Sequence, residues 1–521
     1  MKKLTAIVFI GAMMLGTSCK KYLDINNNPN NATSATPELI LPQALTTTAG
    51  NLVSYNAYGA QLGGYSANAG GYGGFGTAIS YNFSSADFGG LWSATYDNLE
   101  DYQAIVNQAA TQLPTYSYFY AAAKIMEAYN FQLLVDAYND IPFTSALQGA
   151  NNLTPSYTSG PAVYVGLANM LDTAIAAIHA GQTGTAVTPL GSSDVLFGGD
   201  VELWKQFANT IKLRLIVRAN GKATFTNTTF DAAGFLTTDA LINPGYTRDN
   251  NRQNPDWNNW VYSYTGSDAN KAWMPSTFIM GFYDGHKLVD SFRGKAIYYQ
   301  FPNTGTNQLG VESVNTPKCP SGSFWYSGTN RDGKSAGSSI GILKGPEAGR
   351  PAMLAAESYF LQAEAVVRGI LTSGDATALF NSGIAASFNY LYEGPDGVVT
   401  GTPAADAVTY QADNAASYLA NVDVATTTAQ KIEAIITQKY IALNFISSDQ
   451  AWDDYRRTLY PAISYGAVPD PHQTFASTVS ESTRPDKLPS RILYPSSEGA
   501  YNPANLPKGI SPFTSLIFWA Q

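Results

Sequence analysis

Only two cysteines and three histidines stand among the 521 residues, and charged side chains make up just 13% of them. Cys19 and Cys319 cannot build a disulfide framework, so stability has to come from packing. The histidines, His179, His286 and His472, stand at no metal-ligand spacing. With Cys319 alone beside them, the sequence predicts no metal centre and no cofactor. A net charge of −9, with no run of Lys or Arg, excludes a nucleic-acid surface, because phosphate contacts need clustered cations. After Leu15 no apolar run approaches the length that spans a bilayer, so the expectation is a soluble body.

The N-terminus supplies what the composition leaves out. Met1, Lys2 and Lys3 precede an apolar run at residues 4–15, and Gly16, Thr17 and Ser18 lead to Cys19. Basic start, apolar core and small residues make a secretory signal peptide over 1–18. The small-small-Cys ending resembles a bacterial lipobox, so Cys19 is the expected lipid anchor, acyl chains contributing about 0.8 kcal/mol per buried CH₂. Residues 19–40, with NNNPNNATSATP, read as an extended tether. Asp24, Asn26 and Asn28 alternate as calcium ligands do, but Pro29 stands where the loop needs glycine, and a plain loop is the better reading.

The rest, 41–521, reads as a single body of paired amphipathic helices. LWSATYDNLEDYQAIVNQA from Leu91 pairs with a longer helix from Thr115, in which Phe119, Ala122, Met126, Tyr129 and Leu133 share one face. Residues 161–179 pair with 200–219, striped by Trp204, Phe207, Ile211 and Leu215; 352–368 pairs with 376–392; 410–420 pairs with 427–446. Four hairpins, spread over 91–219 and 352–446, predict a mainly α, tetratricopeptide-like superhelix. Between them, 220–351 reads as a loop-rich insertion, not helix, with β-like runs such as VYSY and KAIYYQF. The last sixty residues read as loops wrapped on the body.

Three catalytic patterns match by letter and fail by context. GTNRDGKS at 328–335 fits a phosphate loop, yet no helix opens after it. GYGGFG at 71–76 lacks the preceding strand of a dinucleotide fingerprint. GSSIG at 337–341 lacks the strand-turn-helix of a nucleophile elbow. Asp453, Asp454, Arg456 and Arg457 read as a structural ion-pair cluster after a helix.

Aromatic residues are the positive signal. Sugars present C–H faces to flat rings while Asn and Asp hold hydroxyls. NNRQNPDWNNWVYSYTGSDANKAW, at 250–273, supplies both in what reads as a loop. The candidate ligand residues are Trp257, Trp260, Tyr262, Trp273, Trp325 and Tyr72. Trp257 and Trp260, at i and i+3, suit a surface platform, whereas Trp92 and Trp204 lie on helical stripes and read as core.

The stretches SCKKYLDINNNPNNAT, LLVDAYNDIPFTSAL, DVLFGGDVELWKQFANTIKLRLIVRA, MLAAESYFLQAEAVVRG and TRPDKLPSRILYPSSEGAYNP span nearly the whole chain. In these the sequence resembles the SusD/RagB family of nutrient-binding outer-membrane lipoproteins, SusD-like branch. Lys20 and Lys21 follow Cys19, where surface-exported members often carry acidic residues. The resemblance implies a helical body with four tetratricopeptide-like repeats and a loop-rich ligand face. It also implies a non-catalytic role at the cell surface: binding an oligosaccharide or other neutral nutrient and covering a TonB-dependent, SusC-like outer-membrane barrel. Two other classes remain open, an exported lipoprotein glycan hydrolase and a helical-repeat adaptor that binds only protein.

Overall fold

The computed structural model describes residues 35–521. Cys19, the signal peptide and most of the tether lie outside the described residues. The elements are α1 (Pro37–Leu62), β1 (Ser66–Asn68), α2 (Thr77–Ser80), α3 (Gly89–Ala110), α4 (Ser117–Tyr138), β2 (Ile141–Pro142) and β3 (Tyr157–Thr158). They continue with α5 (Gly160–Thr183), α6 (Val201–Ala219), β4 (Ala240–Ile242), α7 (Pro255–Trp260), β5 (Trp273–Pro275), α8 (Thr277–Met280), α9 (Ser291–Ile297) and β6 (Arg350–Met353). The remainder are α10 (Ala355–Val367), α11 (Ala376–Tyr392), α12 (Pro403–Asp413), α13 (Thr428–Ala442), α14 (Ser448–Thr458) and α15 (Ser496–Tyr501). The fold is mainly helical. Among the described residues the strands form three two-stranded antiparallel pairs, β1–β5, β2–β3 and β4–β6.

Local chemistry sets the helix starts. Asp200 caps α6 by accepting the N–H groups of Glu202 and Leu203 at 2.9 and 3.2 Å, and Asp375 does the same for α11 with Thr377 and Ala378. Pro stands in the first turn of α1, α5, α7 and α12, where its missing N–H costs no bond. The stripe Phe119, Ala122, Met126, Tyr129 and Leu133 is fully buried, but so is almost the whole of α4, which runs through the centre of the molecule.

The pairs α3/α4, α5/α6 and α10/α11 pack as the 3.6-residue pattern expects, and α4/α5 and α6/α10 contacts join them into one array. The fourth hairpin differs. α12 leans mainly on α11 and α13 on α10, and the two meet each other through Gln438, which donates to the Tyr410 hydroxyl at 2.7 Å. The expected tether ends early, because α1 begins at Pro37, and the partner of α1 besides α3 is α14, from the far end of the chain. Their approach is close. A Cβ on Gly59 would stand 2.0 Å from the backbone nitrogen of Asp449, so only glycine admits this crossing.

The insertion is more structured than a loop: α7, α8 and α9 lie within it, and KAIYYQF starts in α9 rather than in a strand. α5 is long and apolar enough to cross a membrane by length and composition, against the expectation that no later segment would be; it packs between α4 and α6. Asp453, Asp454, Arg456 and Arg457 do form an ion-pair cluster, but inside α14 rather than after a helix.

That cluster is the buried centre of the molecule. Arg218 of α6 donates to Asp136 of α4, and to Asp453 and Gln450 of α14, both at 2.9 Å. Arg457 grips Glu364 of α10 with both terminal nitrogens, at 2.5 and 2.8 Å, and reaches Asp454 at 2.9 Å. Lys439 of α13 meets Asp454 at 2.9 Å, and Arg214 of α6 meets Glu357 of α10 at 3.3 Å. Trp519, near the C-terminus, donates to Asp136 at 3.0 Å. All these side chains are buried.

Removing one partner strands the others in low dielectric, so Arg457→Ala should cost about 3–5 kcal/mol in urea unfolding. The sign with pH follows from the same contacts. Burial alone would raise the carboxyls of Glu364 and Asp454, but Arg457, with Lys439 beside Asp454, outweighs it and holds both below the usual carboxylate range. Their contribution is complete above the unfolded-state value of about pH 4 and is lost as pH falls toward the folded-state values. Acid titration of the unfolding free energy should show that loss, and Asp454→Asn should flatten it.

Candidate functional site

The two largest of the clefts described among residues 35–521 compete as ligand sites. The larger, of about 620 Å³, lies among α10, α11 and α12. Thr, Ser and Ala dominate its walls, Tyr359 is its one aromatic ring, and Asp239 and Glu393 are its carboxylates. Burial pushes the Asp239 carboxyl up to about 6, and its Oδ1 already accepts the N–H of Ala355 at 2.7 Å, at the start of α10. That carboxylate is spent on holding a helix terminus.

The smaller cleft, of about 470 Å³, has a different character. Four rings line it: Tyr58 of α1, Phe88 just before α3, Trp260 at the end of α7 and Trp273 at the start of β5. Between them stand Ser54, Gln61, Ser66, Asn259 and Asn270, and Ala57, Gly90 and Ala94 leave open space. No Asp, Glu, Lys, Arg or His belongs to the lining. Rings that stack and neutral amides and hydroxyls that donate and accept suit an uncharged polyhydroxylated ligand.

Each element holds its side chain for a local reason. Asn254 caps α7 by accepting the N–H of Trp257 at 2.9 Å, which fixes the turn that carries Asn259 and Trp260. The pairing Asn68↔Trp273 and Ser66↔Pro275 in β1–β5 brings Ser66 and Trp273 to the same wall. Gln61 donates its amide N–H to the carbonyl of Ala78 at 2.5 Å. Phe88 adopts φ 58°, a left-handed backbone conformation that costs a bulky residue about 1–3 kcal/mol and concentrates at ligand sites. Its ring then stands edge-on to Tyr58, centroids 5.3 Å apart at 74°. Burial raises the Tyr58 phenol to about 12, so it stays protonated at neutral pH. The indole N–H of Trp260 is buried with no protein acceptor among the described residues, as are those of Trp257 and Trp325 in the core.

The structure places the remaining sequence candidates elsewhere. The expected surface platform is corrected. Trp257 and Trp260 lie on a helix, not a loop, and are 1% and 3% exposed. Trp257 packs edge-on to Tyr326, at 5.1 Å, with the Arg248 guanidinium 5.9 Å from its ring. Trp325, 1% exposed, stacks on Phe445 with centroids 3.8 Å apart and planes 6° from parallel, and Trp260 meets the same Phe445 edge-on at 4.7 Å. Tyr262 is buried, with its hydroxyl bonded to the carbonyl of Arg331 at 2.9 Å. The physical reason is that the Asn-rich segment folds inward onto rings supplied by distant residues. Tyr72 is 48% exposed in the glycine-rich loop 71–76, whose Phe75 stands edge-on to Trp273 at 5.4 Å.

Trp260 and Trp273 thus line one cleft, Trp325 packs edge-on against Trp260 at 5.9 Å, and Trp257 and Tyr262 pack against each other in the core. Tyr58 and Phe88 were missed from sequence. The signal available for Tyr58 was the helical recurrence of Tyr55, Tyr58 and Gln61. The phosphate-loop letters find their explanation here too: a Cβ on Gly333 would stand 2.1 Å from the carbonyl oxygen of Gly266, so that glycine serves a backbone crossing. Because Trp325 fills core space, Trp325→Ala should lower stability by about 3–5 kcal/mol in denaturant unfolding.

A SusD-like family, described as starch-binding and associating with the outer membrane, matches over residues 29–495. Among solved structures, a SusD/RagB family protein from Bacteroides thetaiotaomicron superposes with a TM-score of 0.65 at 20% identity, covering 93% of this chain and 99% of that one. A chitin-binding SusD homolog from Flavobacterium johnsoniae gives 0.63 at 24%, covering 92% and 98%. A SusD homolog from Bacteroides uniformis gives 0.63 at 22%, covering 92% and 99%. No curated protein matches.

Proposed function

This chain belongs to the SusD-like family of starch-binding proteins that associate with the outer membrane, and we propose that it captures a neutral oligosaccharide in the cleft between α1, α3, α7 and β5. The single observation behind this reading is the lining itself: four aromatic rings interleaved with neutral amides and hydroxyls, with no charged side chain. Such a surface binds by stacking and hydrogen bonding, without a group placed to cleave a glycosidic bond. The half-buried Trp273 is the stacking residue, with Trp260 closing the wall beside it, Asn259 and Asn270 are the hydroxyl partners, and Tyr72 belongs to the neighbouring loop at 71–76. The captured glycan passes to a TonB-dependent, SusC-like barrel, and Cys19 carries the lipid that holds the protein at the cell surface. The family description names starch, and one structural neighbour is described as chitin-binding, so malto- and chito-oligosaccharides are the first ligands to test.

Calorimetry of the purified protein with both series should give binding to one, with the oligosaccharide recovered at its original length. Trp273→Ala and Trp260→Ala should each weaken that binding by roughly 1–3 kcal/mol. Unchanged affinity in both variants would move the site elsewhere, and shortened products would favour a hydrolase. Cys19→Ala should shift the protein from the membrane fraction to the soluble fraction, and retention in the membrane would reject the lipid anchor.

A further inference from the structure

His286 lies in the insertion after α8, and His472 in the C-terminal loops, yet their imidazole rings stack with centroids 3.8 Å apart and planes 14° from parallel. Each sits in the same kind of turn. Asp284 accepts the backbone N–H of His286 at 3.2 Å and faces its ring Nδ1 at 2.8 Å. Asp470 accepts the backbone N–H of His472 at 2.9 Å and faces its ring Nδ1 at 3.2 Å. Two Asp-x-His turns, Asp284–Gly285–His286 and Asp470–Pro471–His472, are therefore laid against each other. One ligand atom from each of Asp284, His286 and His472 lies within 4.8 Å of the other two. The adjacent Lys287 places its ammonium over the rings of Phe278 and Phe282, at 3.6 and 4.6 Å. Phe278 also packs edge-on against Phe475, at 5.0 Å, which holds the two segments together without the histidines.

We propose that Asp284, His286 and His472 form a binding site for a divalent transition-metal ion. Two imidazoles and a carboxylate are the ligand set that zinc accepts in a four-coordinate shell, with water in the remaining position. Hard cations such as calcium and magnesium prefer all-oxygen shells and fit this set poorly. Asp470, bonded to the ring of His472, is a positioning residue that fixes which nitrogen carries hydrogen and how the ring is aimed. An ion held there links the insertion to the C-terminal loops. The two histidines stand too far apart in sequence for any ligand spacing to reveal them.

The test uses the full chain, stripped with chelator and titrated with zinc chloride in a calorimeter. One equivalent should bind. His286→Ala and His472→Ala should each abolish the binding, and Asp470→Asn should weaken it about 10-fold or more, as loss of an orienting partner does. His179→Ala should leave it unchanged, since that ring pairs with Asp231 at 2.6 Å elsewhere. Substituted cobalt should give visible absorption bands that vanish in the two histidine variants. The histidines are partly exposed, so the unfolding midpoint of each variant without metal should match that of the parent chain. Absence of zinc binding, or binding that survives loss of both histidines, overturns the proposal.

Discussion

The superhelix closes around charges that have left water. Arg214, Arg218, Glu357, Glu364, Lys439, Asp453, Asp454 and Arg457 come from α6, α10, α13 and α14, and Asp136 adds α4. Each ion taken from water costs several kcal/mol, recovered only where partners and geometry are complete. An apolar face tolerates sliding against another apolar face. A bidentate Arg457–Glu364 contact does not, because a shift of one residue leaves ions unpaired. The network thus fixes which helix faces meet, while the surrounding Leu, Ile, Phe and Ala side chains supply the bulk of the burial.

The candidate site is connected to this centre through a short chain of contacts. α14 holds α1 at the Gly59 crossing, and α1 presents Ser54, Tyr58 and Gln61 to the cleft. Phe445, between α13 and α14, stacks on Trp325 and abuts Trp260. Both walls of the cleft therefore rest on the helices that carry the charges. A ligand that binds by stacking needs rings held at fixed spacing, and rigid elements hold them better than loops do.

Much of this was legible in the sequence where the information is local. The 3.6-residue stripes of α3 to α6, α10 and α11 identified those helices and their pairing. α1 was missed because Thr, Ser, Asn and Gly interrupt its stripe, and because its second partner, α14, comes from the opposite end of the chain. The same limit explains the tryptophans. Asn neighbours made Trp257 and Trp260 look exposed, but burial is decided by Phe445 and Tyr326, far along the chain. Trp260 and Trp273 were recognised as ligand candidates by composition, whereas Tyr58 and Phe88 became candidates only once the fold placed them opposite. The His286–His472 stack is the extreme case, since neither residue carries a local mark of the other.

The contact of α1 with α14 has a further consequence. In an open array of helical repeats each unit touches only its neighbours, so unfolding begins at a terminal repeat and spreads inward. Here the first long helix of the described residues is fastened to α14, the last long one, and the array has the connectivity of a ring. Neither of these two helices can fray on its own, and loosening either one must break the same seam, so the body should melt in a single cooperative step.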